Sequence, residues 1–388
     1  MISSNPLAGR IQNLDTYLFV AARQRGQKTL GENKSLIDLS VGDPDVTISA
    51  GFLRDAFSYA LKNSAQSHLY PPNKGSMALR QAVAAWMRYR FGARLDPDTE
   101  IGILNGSKEG LAHLAMTLYN PGDQVLMGEL TYPVYKRSAS LAGAKVVLLP
   151  MPEKNGYQID FGHSKQSGKK VLILNYPNNP TGAMAPLEYF KEAVRWAKKN
   201  GAFIISDTAY SEIFNEKHKP PVSIFEVPGA SDVAVEFHSF SKSFGLAGLR
   251  LAWVCGNAQV IAGLYKLKDT YDSGVNNFSQ SVGEFILNSK NRDQELSHIR
   301  GSYAKRREIF EEGLRKGGLS YFASPATFYV WVKQSGGQFI DDLLYQANIL
   351  AVPGAGFGKP GNSYTRFALC RDTVDIKEAV RRIRALKG

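Results

Sequence analysis

KVLILNYPNNPTGAMAPLEYFKEAVRWAKKNGAFIIS, residues 170–206, reads as strand, loop, helix and strand in succession. Residues 170–174 and 202–206 are short apolar runs. The helix between them is predicted to open with Pro186 and to close at Asn200-Gly201. Phe190, Val194 and Ala197 recur at i, i+4 and i+7, which lines them up on one buried stripe. Proline in the first turn and glycine past the last are the expected ends of such a helix. Near-continuous apolar runs separated by helices mark a mostly parallel sheet covered on both faces.

The same alternation extends outward in both directions. Further strands are predicted at 100–104, 124–127, 145–149, 232–237 and 249–255, with helical periods between the first of them. That is a doubly wound α/β domain. The last third changes character: residues 292–316 read as one long charged helix, followed by short strands at 328–332 and 366–369 and a final amphipathic helix from Asp375. The expected organisation is a large domain over 46–288 and a smaller α+β domain built from 1–45 and 289–388.

The chain has 388 residues, 44% hydrophobic and 21% charged, which excludes wholesale disorder and supplies a large core. Two cysteines rule out a disulfide framework and fit a reducing cytosol. No apolar run is long enough to span a membrane, and the start, MISSNPLAGRIQNLD, lacks the apolar region of a secretory signal. A cytoplasmic protein is expected. The net charge of +12 fits either a nucleic-acid partner or a basic cleft that steers small anions. The basic residues are scattered over amphipathic helices rather than gathered in runs with aromatics, which argues against nucleic acid.

In an open parallel sheet, ligands bind beyond the carboxyl ends of the strands. The first strand is followed by Asn105-Gly106-Ser107-Lys108-Glu109-Gly110 entering a helix, either a phosphate cradle or an ordinary cap. The strand at 170–174 is followed by Asn175-Tyr176-Pro177-Asn178-Asn179-Pro180-Thr181-Gly182, a plain loop or a rigidly held amide donor. Asp207, with Tyr210 three residues on, is a helix cap or an anion facing a ligand cation. After 232–237 comes His238-Ser239-Phe240-Ser241-Lys242-Ser243-Phe244, with Arg250 eight residues beyond the lysine. A lysine hemmed by small and apolar residues has its ammonium disfavoured, as a Schiff-base lysine needs. Each feature alone has an ordinary structural explanation. Together, on successive strand ends, they compose a site for pyridoxal phosphate, which requires a Schiff-base lysine and an acidic partner for its ring nitrogen.

Over nearly its whole length the chain resembles the class I/II aminotransferases, pyridoxal-phosphate enzymes of fold type I. The resemblance is carried by VGDPD (41–45), YPPNKGSMALR (70–80), NGSKEG (105–110), TYPVY (131–135), NYPNNPTG (175–182), SDTAYSEI (206–213), SFSKSFGLAGLR (239–250) and TRFALC (365–370). It implies that Lys242 carries the cofactor and shuttles the proton, and that Asp207 pairs with the pyridine nitrogen. Asn179 and Tyr210 would bond the ring O3′, and Tyr132 would stack on the ring. The backbone amides of Ser107 and Lys108, with Ser239 and Arg250, would hold the phosphate. Arg366 would clamp the substrate α-carboxylate, helped by Asn179 and the Gly42 backbone. Tyr70 would reach the neighbouring subunit's phosphate, which implies a homodimer. Transfer of an amino group from an amino acid to a 2-oxo acid, 2-oxoglutarate for instance, would follow a ping-pong course.

NGSKEGLAHL, ISDTAYSEIF and EFHSFSKSFGLAGLR are most similar to the LL-diaminopimelate aminotransferases and their relatives acting on alanine, aspartate, methionine or aromatic amino acids. One departure stands out: those enzymes carry an acid shortly after the motif tyrosine, whereas Tyr70 here precedes Pro71-Pro72-Asn73-Lys74. Lys74 would sooner suit a dicarboxylic substrate, or faces solvent. The lysine motif is also similar to that of cystathionine β-lyase-like enzymes. Regulators that use this fold carry a preceding winged helix, for which the residues before Gly42 are too few. His68, His113 and His163 lack metal-ligand spacing, so no metal is expected, and Cys255 and Cys370 read as inert core residues.

Overall fold

A seven-stranded sheet forms the centre of the structure, a computed structural model that describes residues 6–30, 35–63, 68–161, 170–334 and 338–386. Its order across the sheet is Ile101–Leu104, Ala252–Gly256, Ala234–Ser239, Ala202–Asp207, Lys170–Asn175, Gln124–Gly128 and Lys145–Leu149. Every neighbouring pair is parallel except the two made by Ala252–Gly256, which runs antiparallel to both its partners. Successive side chains alternate faces, as the pleat requires. Val171 and Ile173 join one apolar layer with Leu111, Leu114, Ile261 and Leu264 from two helices. Leu172 and Leu174 join the opposite layer with Phe190, Val194 and Ala197, the stripe expected from the sequence. The helix carrying that stripe is Leu187–Asn200, with Pro186 before it and Gly201 in the left-handed conformation after it.

Two strands start two or three residues later than the pattern predicts. Residues 230–232 form a short 3-10 turn, so the strand begins at Ala234 and ends on Ser239. Residues 247–249 turn likewise, and Arg250 adopts φ +50°, ψ +51° before the strand at Ala252.

A second, four-stranded antiparallel sheet contains Tyr329–Lys333 and Tyr364–Ala368, with Val330, Val332 and Phe367 packed on Phe310, Leu314 and Ile376. Ile37–Asp38 pairs in parallel with Ile349–Leu350, tying the N-terminal segment to this part of the chain. The charged helix spans Arg292–Lys316, yet Arg306 and Arg307 are buried in it. Arg306 forks onto both Asp45 oxygens at 2.7 and 2.8 Å, and Arg307 donates to the carbonyls of Ala326, Thr327 and Tyr329. Buried guanidinium groups survive because their donors are satisfied. Among the described residues no helix is long and apolar enough to cross a membrane.

Candidate active site

The carboxyl ends of three adjacent strands stand level: Asn175 pairs in register with Asp207, and Asp207 with Phe237, two residues before Ser239. They open onto a cleft of about 420 Å³. All the residues anticipated from the sequence line it except Tyr70 and Arg366. Tyr70 is 86% exposed, away from this cleft. Arg366 lies directly behind, fully buried.

Lys242 sits at the cleft floor and donates to the Gly42 carbonyl at 2.6 Å. Burial lowers its pKa to about 8, opposed by the nearby Cys370 and Asp43 and assisted by Arg366 and Arg250. Asp207 is buried, and burial pushes its carboxyl above the ordinary carboxylate range. Oδ2 accepts from the Tyr135 hydroxyl at 2.6 Å and Oδ1 from the Ala209 amide at 3.2 Å. It caps no helix, and among the described residues it has no salt bridge. A buried carboxylate with no salt bridge among the described residues fits a ring that brings its own positive charge.

The helix Ser107–Leu118 points its first turn into the same cleft. Its N-cap, Gly106, has φ +88°, a conformation L side chains rarely adopt, and a Cβ there would collide with the Arg250 guanidinium. Arg250 is itself a non-glycine residue at positive φ, a strained arrangement that holds its side chain against Ser241 Oγ and Gly106. Free helix amides, the positive end of the dipole and a cation within one small volume fit a phosphate. Ser239 Oγ caps the short turn that carries Lys242 by accepting from the Ser241 amide.

Arg366 donates to Asn179 Oδ1 and to the Ser40 carbonyl, both at 2.7 Å, while its buried Nε has no partner among the described residues. Its guanidinium lies 4.1 Å from the Tyr329 ring centre, 4.8 Å from Phe357 and 4.9 Å from Phe19. The Tyr329 hydroxyl bonds that of Tyr210 at 2.9 Å and blocks any side chain at Gly42.

Several lining residues escaped the sequence reading. Asn175 straps two loops together, its amide donating to the Asp207 carbonyl while its oxygen accepts from the Asn179 amide. Tyr17, Phe19 and Arg23 come from the N-terminal segment, and nothing local marked them as cleft residues. Tyr135 stood in the TYPVY motif with no role assigned to it. His163 lies outside the described residues. The His113 ring lies 4.8 Å from that of Tyr271, tilted by 38°, beside Glu109 and Asp272, and the buried Lys268 ammonium bonds both carboxylates at 2.5 and 2.7 Å. That ammonium supplies the cation for these acids.

A doubly wound sheet with a buried lysine, an unpaired acid and a phosphate-ready helix end at its carboxyl edge defines a fold type I pyridoxal-phosphate enzyme. The chain belongs to the class I and II aminotransferases, whose family model matches residues 34–383. It is a transaminase dependent on pyridoxal 5′-phosphate. It is 40% identical to an LL-diaminopimelate aminotransferase of Aquifex aeolicus (strain VF5), over 97% of this chain and 98% of that one. A relative of the same description from Maridesulfovibrio salexigens is 38% identical over 98% and 99% of the two chains. Among solved structures, apo-BacF from Bacillus subtilis superposes with a TM-score of 0.93 at 29% identity, covering 99% of each chain. A probable N-succinyldiaminopimelate aminotransferase from Thermus thermophilus gives 0.87 at 33% identity, covering 95% of this chain and 99% of that one.

Proposed function

We propose that this transaminase takes its amino group from LL-diaminopimelate, passes it to 2-oxoglutarate, and works as a cytoplasmic homodimer. The observation that carries the substrate reading is the cationic mouth of the cleft. Arg23 and Lys108 line it, and neither has a carboxylate partner among the described residues. Lys108 lies 4.2 Å from the Tyr17 ring centre; its pKa is lowered by burial first, then by Arg137 and Arg250. Unpaired cations there favour substrates with a second carboxylate, as both proposed substrates have.

Bound pyridoxal phosphate supplies an electron sink and a carbon that carries the amino group. The chain's residues do the rest. Lys242 accepts the donor Cα proton and returns it one position away, a task suited to an amine titrating near neutral pH. Asp207 holds a proton at the cofactor's ring nitrogen. Asn179 and Tyr210 bond the ring oxygen and Tyr132 covers the ring face. The Ser107 and Lys108 backbone amides, Ser239 and Arg250 bind the phosphate, with Tyr70 supplied by the second subunit. Arg366 orients the α-carboxylate with Asn179 and Gly42, exchanging its present internal acceptors for it. The division into 46–288 and 1–45 plus 289–388 places Arg366 and Lys242 on different domains.

A second reading, a dicarboxylic donor such as aspartate, is favoured by the segment after Tyr70, Pro71-Pro72-Asn73-Lys74, which offers no acid to a distal ammonium. The Asn73 amide bonds Asp269, and Lys74 donates to the Asp98 carbonyl. A donor panel of diaminopimelate, aspartate, alanine, methionine and tyrosine, followed by half-reaction absorbance, separates the two. Diaminopimelate should give the highest kcat/KM; aspartate ahead of it would establish the second reading.

A further inference from the structure

Tyr132 and Tyr135 stand one turn apart at the start of helix Pro133–Leu141, their rings edge to face with centres 5.6 Å apart. Such i, i+3 neighbours share one face of a helix. Tyr132 therefore turns its ring, and Tyr135 its hydroxyl, toward the same cleft. The Tyr135 hydroxyl is the one side-chain donor to the Asp207 carboxylate among the described residues, at 2.6 Å, with both side chains buried.

We propose that Tyr135 is a positioning residue of this transaminase, holding the Asp207 carboxylate by its Oδ2 oxygen as the fixed anionic partner of the cofactor's ring nitrogen. The inference rests on the reading of Asp207 given above and adds the group that makes Asp207 fit for it. Burial by itself favours the neutral carboxyl, which could not hold the ring proton. Against burial stand, in order, the Tyr135 hydrogen bond, the Ala209 amide and the charge of His238, while Glu236 acts with burial. The groups around Asp207 are thus Tyr132 and Tyr135 from the helix, Glu236 and His238 from the adjacent strand, Tyr210 from its own turn and Lys242 across the cleft. Glu236 and His238 are bonded to each other at 2.9 Å, which leaves Tyr135 as the side chain dedicated to Asp207. Burial, followed by the Asp207 charge, drives the Tyr135 hydroxyl well above its ordinary range, so it remains a donor throughout the working pH range. A hydrogen bond to an ionised carboxylate is also directional and fixes its rotamer.

The test is Tyr135→Phe holoenzyme, which loses one oxygen and keeps the ring. A weaker Asp207 anion leaves the ring nitrogen less protonated, and the ring then withdraws less from the nitrogen of Lys242. The pH midpoint of the cofactor's visible band should rise by roughly half a unit or more. The kcat should fall about tenfold, the scale of one charge-assisted hydrogen bond, with KM for donor and acceptor unchanged. Placing 3,5-difluorotyrosine at position 135 keeps the shape and strengthens the donor; it should lower the midpoint, and it stands as the readout if the phenylalanine variant does not fold. A band unmoved in these variants but moved in Asp207→Asn would overturn the role of Tyr135. A band unmoved in Asp207→Asn as well would overturn the ring-nitrogen reading of Asp207, and this inference with it.

Discussion

Burial acts on two ionisable groups at the cleft floor and disfavours the charged form of both. For Lys242 this lowers the pKa to about 8, which keeps part of the amine free near neutrality. The free amine is the nucleophile, so cofactor loading onto the apoprotein should speed up as pH rises through about 8 and then level off. Stopped-flow absorbance across that range measures it; a rise that continues toward the 10.5 of an ordinary lysine would place the loading residue elsewhere. Borohydride should fix the label on Lys242, and Lys242→Ala should still bind cofactor while losing several orders of magnitude of turnover. For Asp207 burial raises the pKa, and a protonated ring nitrogen placed beside it, as proposed above, would favour its charged form. Asp207→Asn cannot hold the ring proton, and kcat should drop by ~3 kcal/mol or more, the cost of losing one preorganised electrostatic partner. Near-normal turnover in that variant would remove Asp207 from the ring.

Elements bring these groups together, and here the sequence was legible to different depths. Strand ends were readable because continuous apolar runs stop where polar loops begin, and Asn179, Asp207, Ser239 and Lys242 all fall just there. The N-terminal contributions were not, because Tyr17, Phe19 and Arg23 reach the cleft only through packing distant in sequence. Arg366 was legible as a strand residue, but its enclosure by Phe19, Tyr329 and Phe357 was not. At the phosphate end, Gly106→Ala adds a methyl where Arg250 lies and forces a positive φ on alanine. Strain in that glycine-only region is about 1–3 kcal/mol, so pyridoxal phosphate should bind roughly five- to a hundredfold more weakly in an absorbance titration. At the carboxylate end, Arg366→Lys keeps the charge but loses the planar fork. All donors and acceptors should weaken together by ~1–3 kcal/mol, with cofactor absorbance unchanged. Loss of a single substrate class would make Arg366 a side-chain selector instead.

At the scale of the molecule, Tyr70 lies outside the cleft formed by one chain, exposed to solvent beside the exposed Leu69. The loop that presents it is nonetheless held in place. Asn73 bonds Asp269, the Ser76 amide bonds Gln280 Oε1, and a side chain at Gly75 would strike Ile103. A well-anchored loop offering an exposed aromatic suits a residue that acts on a second copy of the chain. The local sequence pattern located the tyrosine, and its destination came only from the family resemblance, because which subunit it serves depends on symmetry. In a two-fold dimer each subunit would lend Tyr70 to the other. Lys242→Ala and Tyr70→Ala homodimers should both be impaired, the first nearly inactive. Denatured together in equal amounts and refolded, half of their dimers should be mixed. Each mixed dimer then holds one site with both defects and one site with neither. Activity should recover to about a quarter of the wild-type value, well above either parent. If Tyr70 served its own chain, every mixed dimer would carry one defect per site and no recovery would be seen.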